Sequence, residues 1–354
     1  MFSCLLAPLS ATLRPHFELS KSRLMTLAVL ICGVAQSRTV NLSHIAGHFP
    51  GEALQASNYR RLQRFFQYET LSQEVVAHLI VGMLNYARPK RLALDRTNWK
   101  LGQRDVNVLV LALVTRRFRV PLLWVLLPHQ GNSDTRQRIG LMQRYLDLFG
   151  ASSIEILLAD REFIGAEWLT FLNENNIPFA IRLREGMTLR MDGARRSFAS
   201  LLRRHRRGTW VGCLEGMDTD LRFAGCRLQS GEALVVATNI GDAARALRDY
   251  RKRWGIECMF GDCKTRGLNM QDTHITDLAK LDMLMAIVAL AMTWAYRCAT
   301  TIKGRAAIRR KVHSRREKSW FRIGLDALRS WLIFDQKRAL FAWRSTIPKR
   351  RPNT

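Results

Sequence analysis

Residues 91–127 read RLALDRTNWKLGQRDVNVLVLALVTRRFRVPLLWVLL. Three runs rich in Val and Leu stand out in it: Leu92–Leu94, Val106–Val114 and Leu122–Leu127. Polar or turn-forming residues part them, which is the pattern of three consecutive strands. Downstream, Asp134–Phe149 has helical character with Asp134 near its N-terminus. Ile154–Ala159 is a fourth apolar run and ends at Asp160, Glu167–Asn175 is a helix, and Phe179–Leu183 a fifth strand.

Strand, strand, strand, helix, strand, helix, strand is the order of a ribonuclease-H-like core, so the expected class is α/β. Its first part covers 88–184. Residues 185–231 are Gly-rich and irregular, with alternating pieces such as TWVGCLEGM and LRFAGCRLQ, and read as a β-rich insertion. Leu234–Thr238 returns as a strand and Asp242 starts a long helix, giving a second part of the core over 232–300. Before the core, 1–87 reads as helices. In SNYRRLQRFFQ, Arg60, Arg61 and Arg64 alternate with Tyr59, Phe65 and Phe66. That suits a DNA-binding helix and equally an amphipathic helix with its arginines in solvent. Asn41-Leu-Ser-His looks like a turn into a short helix with Ser43 as cap. After the core, 301–354 carries sixteen Lys or Arg with interleaved Trp and Phe, the pattern of short packed helices with a basic outer face.

The whole chain has 354 residues, 47% of them apolar, which excludes a disordered protein. Its 56 Lys and Arg against 29 Asp and Glu give a formal charge of +27 and point to a polyanionic partner, nucleic acid before membrane. The seven cysteines are odd in number and match neither a zinc ribbon nor a disulfide framework, so they read as reduced thiols in a cytoplasmic protein. The histidines have no metal-ligand spacing. The apolar run Leu281–Tyr296 contains Asp282 and reads as a buried helix; no signal peptide and no membrane association are expected. The run Arg203, Arg204, His205, Arg206, Arg207 is either a solvated loop or a phosphate contact.

Two aspartates, Asp95 and Asp160, each close an apolar strand-like run. Either alone is an ordinary turn residue. In DYRKRWGIECMFGDCKTRG, however, Tyr250, Arg253, Glu257 and Lys264 are spaced by three, four and seven residues. On one α-helix they fall within an arc of roughly 60°. Two strand-end aspartates on adjacent parallel strands, completed by Glu257 from a packed helix, form a sparse carboxylate triad. Such a triad suits two-metal phosphoryl chemistry, with Mg²⁺ as the ion that accepts few ligands and keeps its waters. Arg161 and Glu162 follow Asp160, either orienting the site or pairing at the surface. Trp99 reads as a core anchor.

The Tyr250, Arg253, Glu257, Lys264 spacing resembles the YREK signature of bacterial insertion-sequence transposases of the IS-four type. Trp254 and Ile256, Phe260, Arg266 and Gly267, LALDRTNW around Asp95 and ADREF around Asp160 are similar to that family, over about Arg88 to Tyr296. The resemblance implies a DDE transposase with Asp95, Asp160 and Glu257 as catalytic metal ligands for two Mg²⁺ ions, Mn²⁺ substituting. It implies cut-and-paste transposition: hydrolysis at terminal inverted repeats, then strand transfer into target DNA, by a homodimer that is nucleoid-associated when bound. Tyr250, Arg253 and Lys264 would hold terminal phosphates, with Arg203, Arg204, Arg206 and Arg207 as further DNA contacts. Two features depart from the pattern. Gly255 and Gly261 sit inside the catalytic helix, and the tryptophan some relatives carry before it is replaced near Leu234, with Trp210 as a substitute. Two alternatives stand beside this reading: a ribonuclease-H-like junction resolvase, and a domesticated DNA-binding protein that no longer cuts.

Overall fold

The structure is a computed structural model that describes residues 3–85, 90–101, 104–127, 131–217, 219–304, 306–312 and 316–344. In chain order the elements begin with α1 (Ser3–Leu13), α2 (Lys21–Ser37), α3 (Leu42–Ala46), α4 (Gln55–Tyr68) and α5 (Gln73–Leu84). Then come β1 (Lys90–Leu101), β2 (Arg104–Val114), β3 (Arg119–Leu127), α6 (Thr135–Phe149), β4 (Ile154–Ala159), α7 (Ala166–Glu174) and β5 (Phe179–Arg182). Next are β6 (Thr188–Met191), β7 (Ala194–Ser197), α8 (Phe198–Arg204), β8 (Arg207–Leu214), β9 (Leu221–Arg227) and β10 (Ala233–Thr238). The chain continues through α9 (Ala243–Tyr250), α10 (Trp254–Cys263), α11 (Leu278–Lys303), α12 (Trp320–Phe334) and α13 (Gln336–Arg344). It divides into two compact units.

One unit comprises Arg88–Thr97 and Asn107–Cys258. Ten strands form a mixed sheet in the order β3-β2-β1-β4-β5-β10-β9-β8-β6-β7. β1, β4 and β5 are parallel neighbours, and β2 and β3 are antiparallel. β10 runs antiparallel to both β5 and β9. The central strand β4 is buried from Ile156 to Ala159, as its unbroken apolar run requires of a parallel strand covered on both faces. α6 packs on β3, and α9 packs on β5, β9 and β10. Within 185–231, β8 and β9 extend the same sheet beyond β10, and α8 starts where Ser197 accepts the Ser200 N–H.

Two expectations change here. β1 does not stop near Asp95 but runs to Leu101. Beyond the apolar run, Thr97 and Trp99 are buried while Asn98 and Lys100 are exposed, an alternation of period two that a search for apolar runs passes over. The long helix from Asp242 is interrupted: α9 ends at Tyr250, Arg251–Arg253 form a 3-10 turn, and α10 begins at Trp254.

The other unit comprises Met1–Ala87, Asn98–Val106 and Met259–Thr354. α11 is its axis, packed against α2, α5, α12 and α13. α11 is long and apolar enough to cross a membrane, yet 78% of its apolar window is buried inside the protein. α12 lies so close to it that a Cβ on Gly324 would stand 1.8 Å from the Ala295 carbonyl oxygen. The Trp294 indole donates to the Ala339 carbonyl at 2.9 Å, tying α13 to the same core. The short helix α3 is capped by Asn41 rather than Ser43: the Asn41 side chain accepts both the Ser43 N–H and its hydroxyl. On α4, Arg61 turns inward to Ser22 and Thr26, while Arg60 and Arg64 are exposed.

Candidate active site

Parallel pairing of β1 with β4 sets Leu94 opposite Ala159, the last registered pair. Asp95 and Asp160 are therefore the next residue on each of two strands that lie about 4.8 Å apart. Both carboxylates are fixed the same way: the N–H of Arg96 donates to Asp95 and the N–H of Arg161 to Asp160, each at 2.8 Å. Glu257 comes from α10. The 3-10 turn before it matters, because residues three apart eclipse one another in that geometry. Tyr250 and Arg253 thus face the same way, with the guanidinium 5.9 Å from the Tyr250 ring centre. Glu257 follows one α-helical turn later. A glycine precedes it for a steric reason: a Cβ on Gly255 would press on Val114 of β2 at 3.3 Å.

Arg253 joins the three carboxylates. Its Nη1 lies 2.9 Å from Asp95, its Nη2 lies 3.7 Å from Asp160, and Nη2 also pairs with Glu257. The Tyr250 hydroxyl donates to Asp160 at 3.1 Å. Burial pushes the Asp95 carboxyl up to about 6, against the opposing pull of Arg253 and the Arg96 N–H, with Glu162 and Asp160 adding to the rise. Burial also pushes the Tyr250 hydroxyl up, so it remains a neutral donor. For Arg253 burial opposes the charge, but Tyr250 and the three carboxylates outweigh it and raise its pKa. One guanidinium against three carboxylates leaves the cluster formally at −2, a strong demand for added positive charge.

The opposite face of β1 is built differently. Arg96 donates to Asn107 and Asn132 and pairs with Glu162, each at 3.2 Å. Arg138 is buried, donates from Nε to the Ser133 hydroxyl at 3.0 Å, and lies over the Phe163 ring at 5.1 Å. The repeated Asp-Arg dipeptide, at 95–96 and 160–161, was the available sequence signal that both carboxylates are held by the same local bond.

Other expected site residues lie elsewhere. Lys264 falls beyond the end of α10, in the helical unit, where its amine donates to the Asn98 carbonyl at 3.2 Å. The single stripe of four residues is thus not formed; the 3-10 turn and the end of α10 divide it. Arg203 lies in the last turn of α8 and is exposed, as are Arg206 and Arg207; the side chain of Arg204 lies outside the described residues. Arg206 and Arg207 line one cleft with Arg227 and Arg251. Trp210 is engaged within the sheet, its ring edge-on to Phe198 and against Gly208 and Gly225. Trp99 is buried. All seven cysteines are free. Gly261 lies under the Arg266 guanidinium. Among the described residues no three His, Cys, Asp or Glu side chains stand close enough together to hold a metal ion as they are placed. The triad's acids are each turned to Arg253 instead.

Residues 86–294, more than half of the chain, match the family described as Transposase DDE domain. No curated protein matches the sequence. Among solved structures, the chain is similar to a cryo-EM structure of the piggyBac transposase synaptic complex with hairpin DNA. The identity is 11% and the TM-score 0.49, over 100% of this chain and 84% of that one. That likeness is too distant to bear on the site.

Proposed function

The chain belongs to the transposase DDE domain family, and on that premise we propose that it is a cut-and-paste DNA transposase of the IS-four type. Its Asp95, Asp160 and Glu257 would hold the divalent cations, Mg²⁺ or Mn²⁺. The observation that carries this reading is the convergence of three carboxylates from β1, β4 and α10 on one cationic group. The order β3-β2-β1-β4-β5, with β4 and β5 parallel to β1, supports a ribonuclease-H-like core beneath them.

The donor set fits the ions. Three hard carboxylate oxygens with excess negative charge suit Mg²⁺, and the guanidinium now among them is a single charge where the acids call for more. Bound divalent cations supply a deprotonated oxygen nucleophile and neutralise charge on the leaving oxygen. The rest falls to the chain. Asp95 is half-buried and above the usual carboxylate range, so it must lose its proton to serve as a ligand. Arg253 must leave the acids; once released, its planar fork can grip a DNA phosphate bidentately. Tyr250, still neutral, keeps Asp160 oriented through its hydroxyl. Arg203, Arg204, Arg206 and Arg207 would track the duplex backbone, with Lys264 serving a phosphate from the helical unit. The partners are terminal inverted repeats and target DNA, bound by a homodimer in the bacterial cytoplasm.

The deciding experiment incubates the protein with Mg²⁺ and DNA carrying the repeats that flank its gene, then maps nicks at nucleotide resolution. Nicks at the repeat ends, joined later to target DNA, are expected. Cleavage directed at branched junctions without regard to the repeats would favour a resolvase; binding without nicks would favour a non-cutting protein.

A further inference from the structure

The polar set on the other face of β1 is larger than packing requires. Successive side chains of a strand point to opposite faces, so Asp95 meets Arg253 while Arg96, one residue on, meets Glu162. Glu162 sits in the turn that Asp160 opens, closed by the Phe163 N–H donating to the Asp160 carbonyl at 2.9 Å. The Arg96–Glu162 pair therefore links β1 to the turn after β4, one and two residues away from the two aspartates. Both partners are mostly buried, with side-chain exposures of 17% and 22%. Arg96 is itself braced by Asn107, which is 2% exposed and donates to the Gly131 carbonyl at 2.8 Å. Arg138 stands behind Glu162 within Coulombic reach, stacked on Phe163 of the same turn.

We propose that Glu162, acting through Arg96, is a positioning residue that fixes the separation of the Asp95 and Asp160 carboxylates from the far side of the sheet. The planar fork of Arg96 reaches β2, the 131–133 segment and the Asp160 turn at once. A lysine has the charge but cannot bridge three acceptors in one plane. Groups that orient ligating carboxylates from behind typically change metal affinity or activity 10- to 100-fold when removed.

This rests on the proposed metal-dependent reading. The full-length protein is prepared as wild type, Glu162→Gln, Arg96→Lys and the conservative variant Glu162→Asp. Three quantities are measured on each: melting temperature, Mn²⁺ affinity of the free protein by calorimetry, and single-turnover nicking of repeat-end DNA. Glu162→Gln and Arg96→Lys are expected to weaken Mn²⁺ binding and slow nicking by about 10- to 100-fold, with end-DNA affinity within about twofold of wild type. Glu162→Asp keeps the charge that Arg96 grips and should retain more of both functions than Glu162→Gln, which a mere packing defect would not do. Folded Glu162→Gln and Arg96→Lys variants with wild-type Mn²⁺ affinity and nicking overturn the clamp. So does a Glu162→Asp variant whose losses match or exceed those of Glu162→Gln. If wild type itself binds no Mn²⁺ and nicks nothing, the metal-dependent reading has failed and the clamp falls with it.

Discussion

The two faces of β1 use the same side chains for opposite ends. Toward α9 and α10, one arginine faces three carboxylates, for a formal −2. On the other face, Arg96 and Arg138 are set against Glu162, with Asp134 also within Coulombic reach of Arg138, and Asn107, Asn132 and Ser133 accept from the two arginines. The second set is near charge balance, although Glu162 Oε1 is buried with no hydrogen-bond partner among the described residues, and it reads as support. The first is left short of positive charge, because Arg253 brings one charge to three acids. Departures from local satisfaction of this kind are where function concentrates.

The largest expected effect tests the under-neutralised face directly. Asp95→Ala, Asp160→Ala and Glu257→Ala should each reduce nicking by roughly 1000-fold or more, since losing one ligand disables both halves of two-metal catalysis. End binding should stay near wild type. A gel-shift assay beside a nicking assay checks it, and any one variant nicking at a near-normal rate removes that acid from the set.

Next in size is the arginine between the acids. From sequence alone Arg253 reads as a DNA ligand that leaves the metals to the carboxylates. The structure places it on the carboxylates, so it competes with any cation that enters. Arg253→Gln should raise the Mn²⁺ affinity of the DNA-free protein by roughly tenfold, about 1.4 kcal/mol, while slowing cleavage of paired ends. Calorimetric titration without DNA decides this; weaker Mn²⁺ binding in that variant would make Arg253 a support of the ligands rather than their stand-in.

A third region carries the converse imbalance. Arg203, Arg206 and Arg207 are exposed and form no salt bridge among the described residues. Replacing all three with Ala should lower the slope of log affinity against log salt by about 2 to 3, near 0.9 per phosphate contact. An unchanged slope would make the run a solvated surface. Truncation at Lys303 would not be a clean counterpart for the basic tail, because α12 and α13 belong to the core around α11. There Arg322 pairs with Asp326, and Arg329 donates to the Gln36 carbonyl.

Much of the site was legible because its determinants are local. Apolar runs mark β1, β4 and β5, and an acid just past the run lands beside its neighbour once the strands pair in parallel. The rest depended on tertiary context. Nothing between Tyr250 and Trp254 in the residue pattern requires a 3-10 turn; packing of Gly255 on Val114 accompanies it. The continuation of β1 through Trp99 is one-sided and short. Glu162 could be read either as an orienting group or as a surface pair, and only its burial with Arg96 separates the two.

The last expected effect concerns what the uneven face costs the fold. Asp95 titrates at about 6 in the folded protein against 3.8 for the free side chain, with burial the leading cause. A raised carboxyl pKa means the folded state holds its proton longer than the unfolded state does. The stabilising contribution is therefore complete below about pH 4 and is lost as pH rises towards 6; above that the ionised form is a standing cost. Asp95→Asn removes the ionisation but keeps the shape, and Arg253 retains Asp160 and Glu257 as partners. The metal-free variant should be more stable than wild type by roughly 1–2 kcal/mol at pH 7.5, with the difference fading near pH 4.5. Thermal melts in chelator at both pH values check this. A variant that melts lower than wild type at pH 7.5 would show that the Arg253–Asp95 ion pair outweighs burial. The face would then be stable as it stands, without the demand for positive charge that the metal-dependent reading draws on.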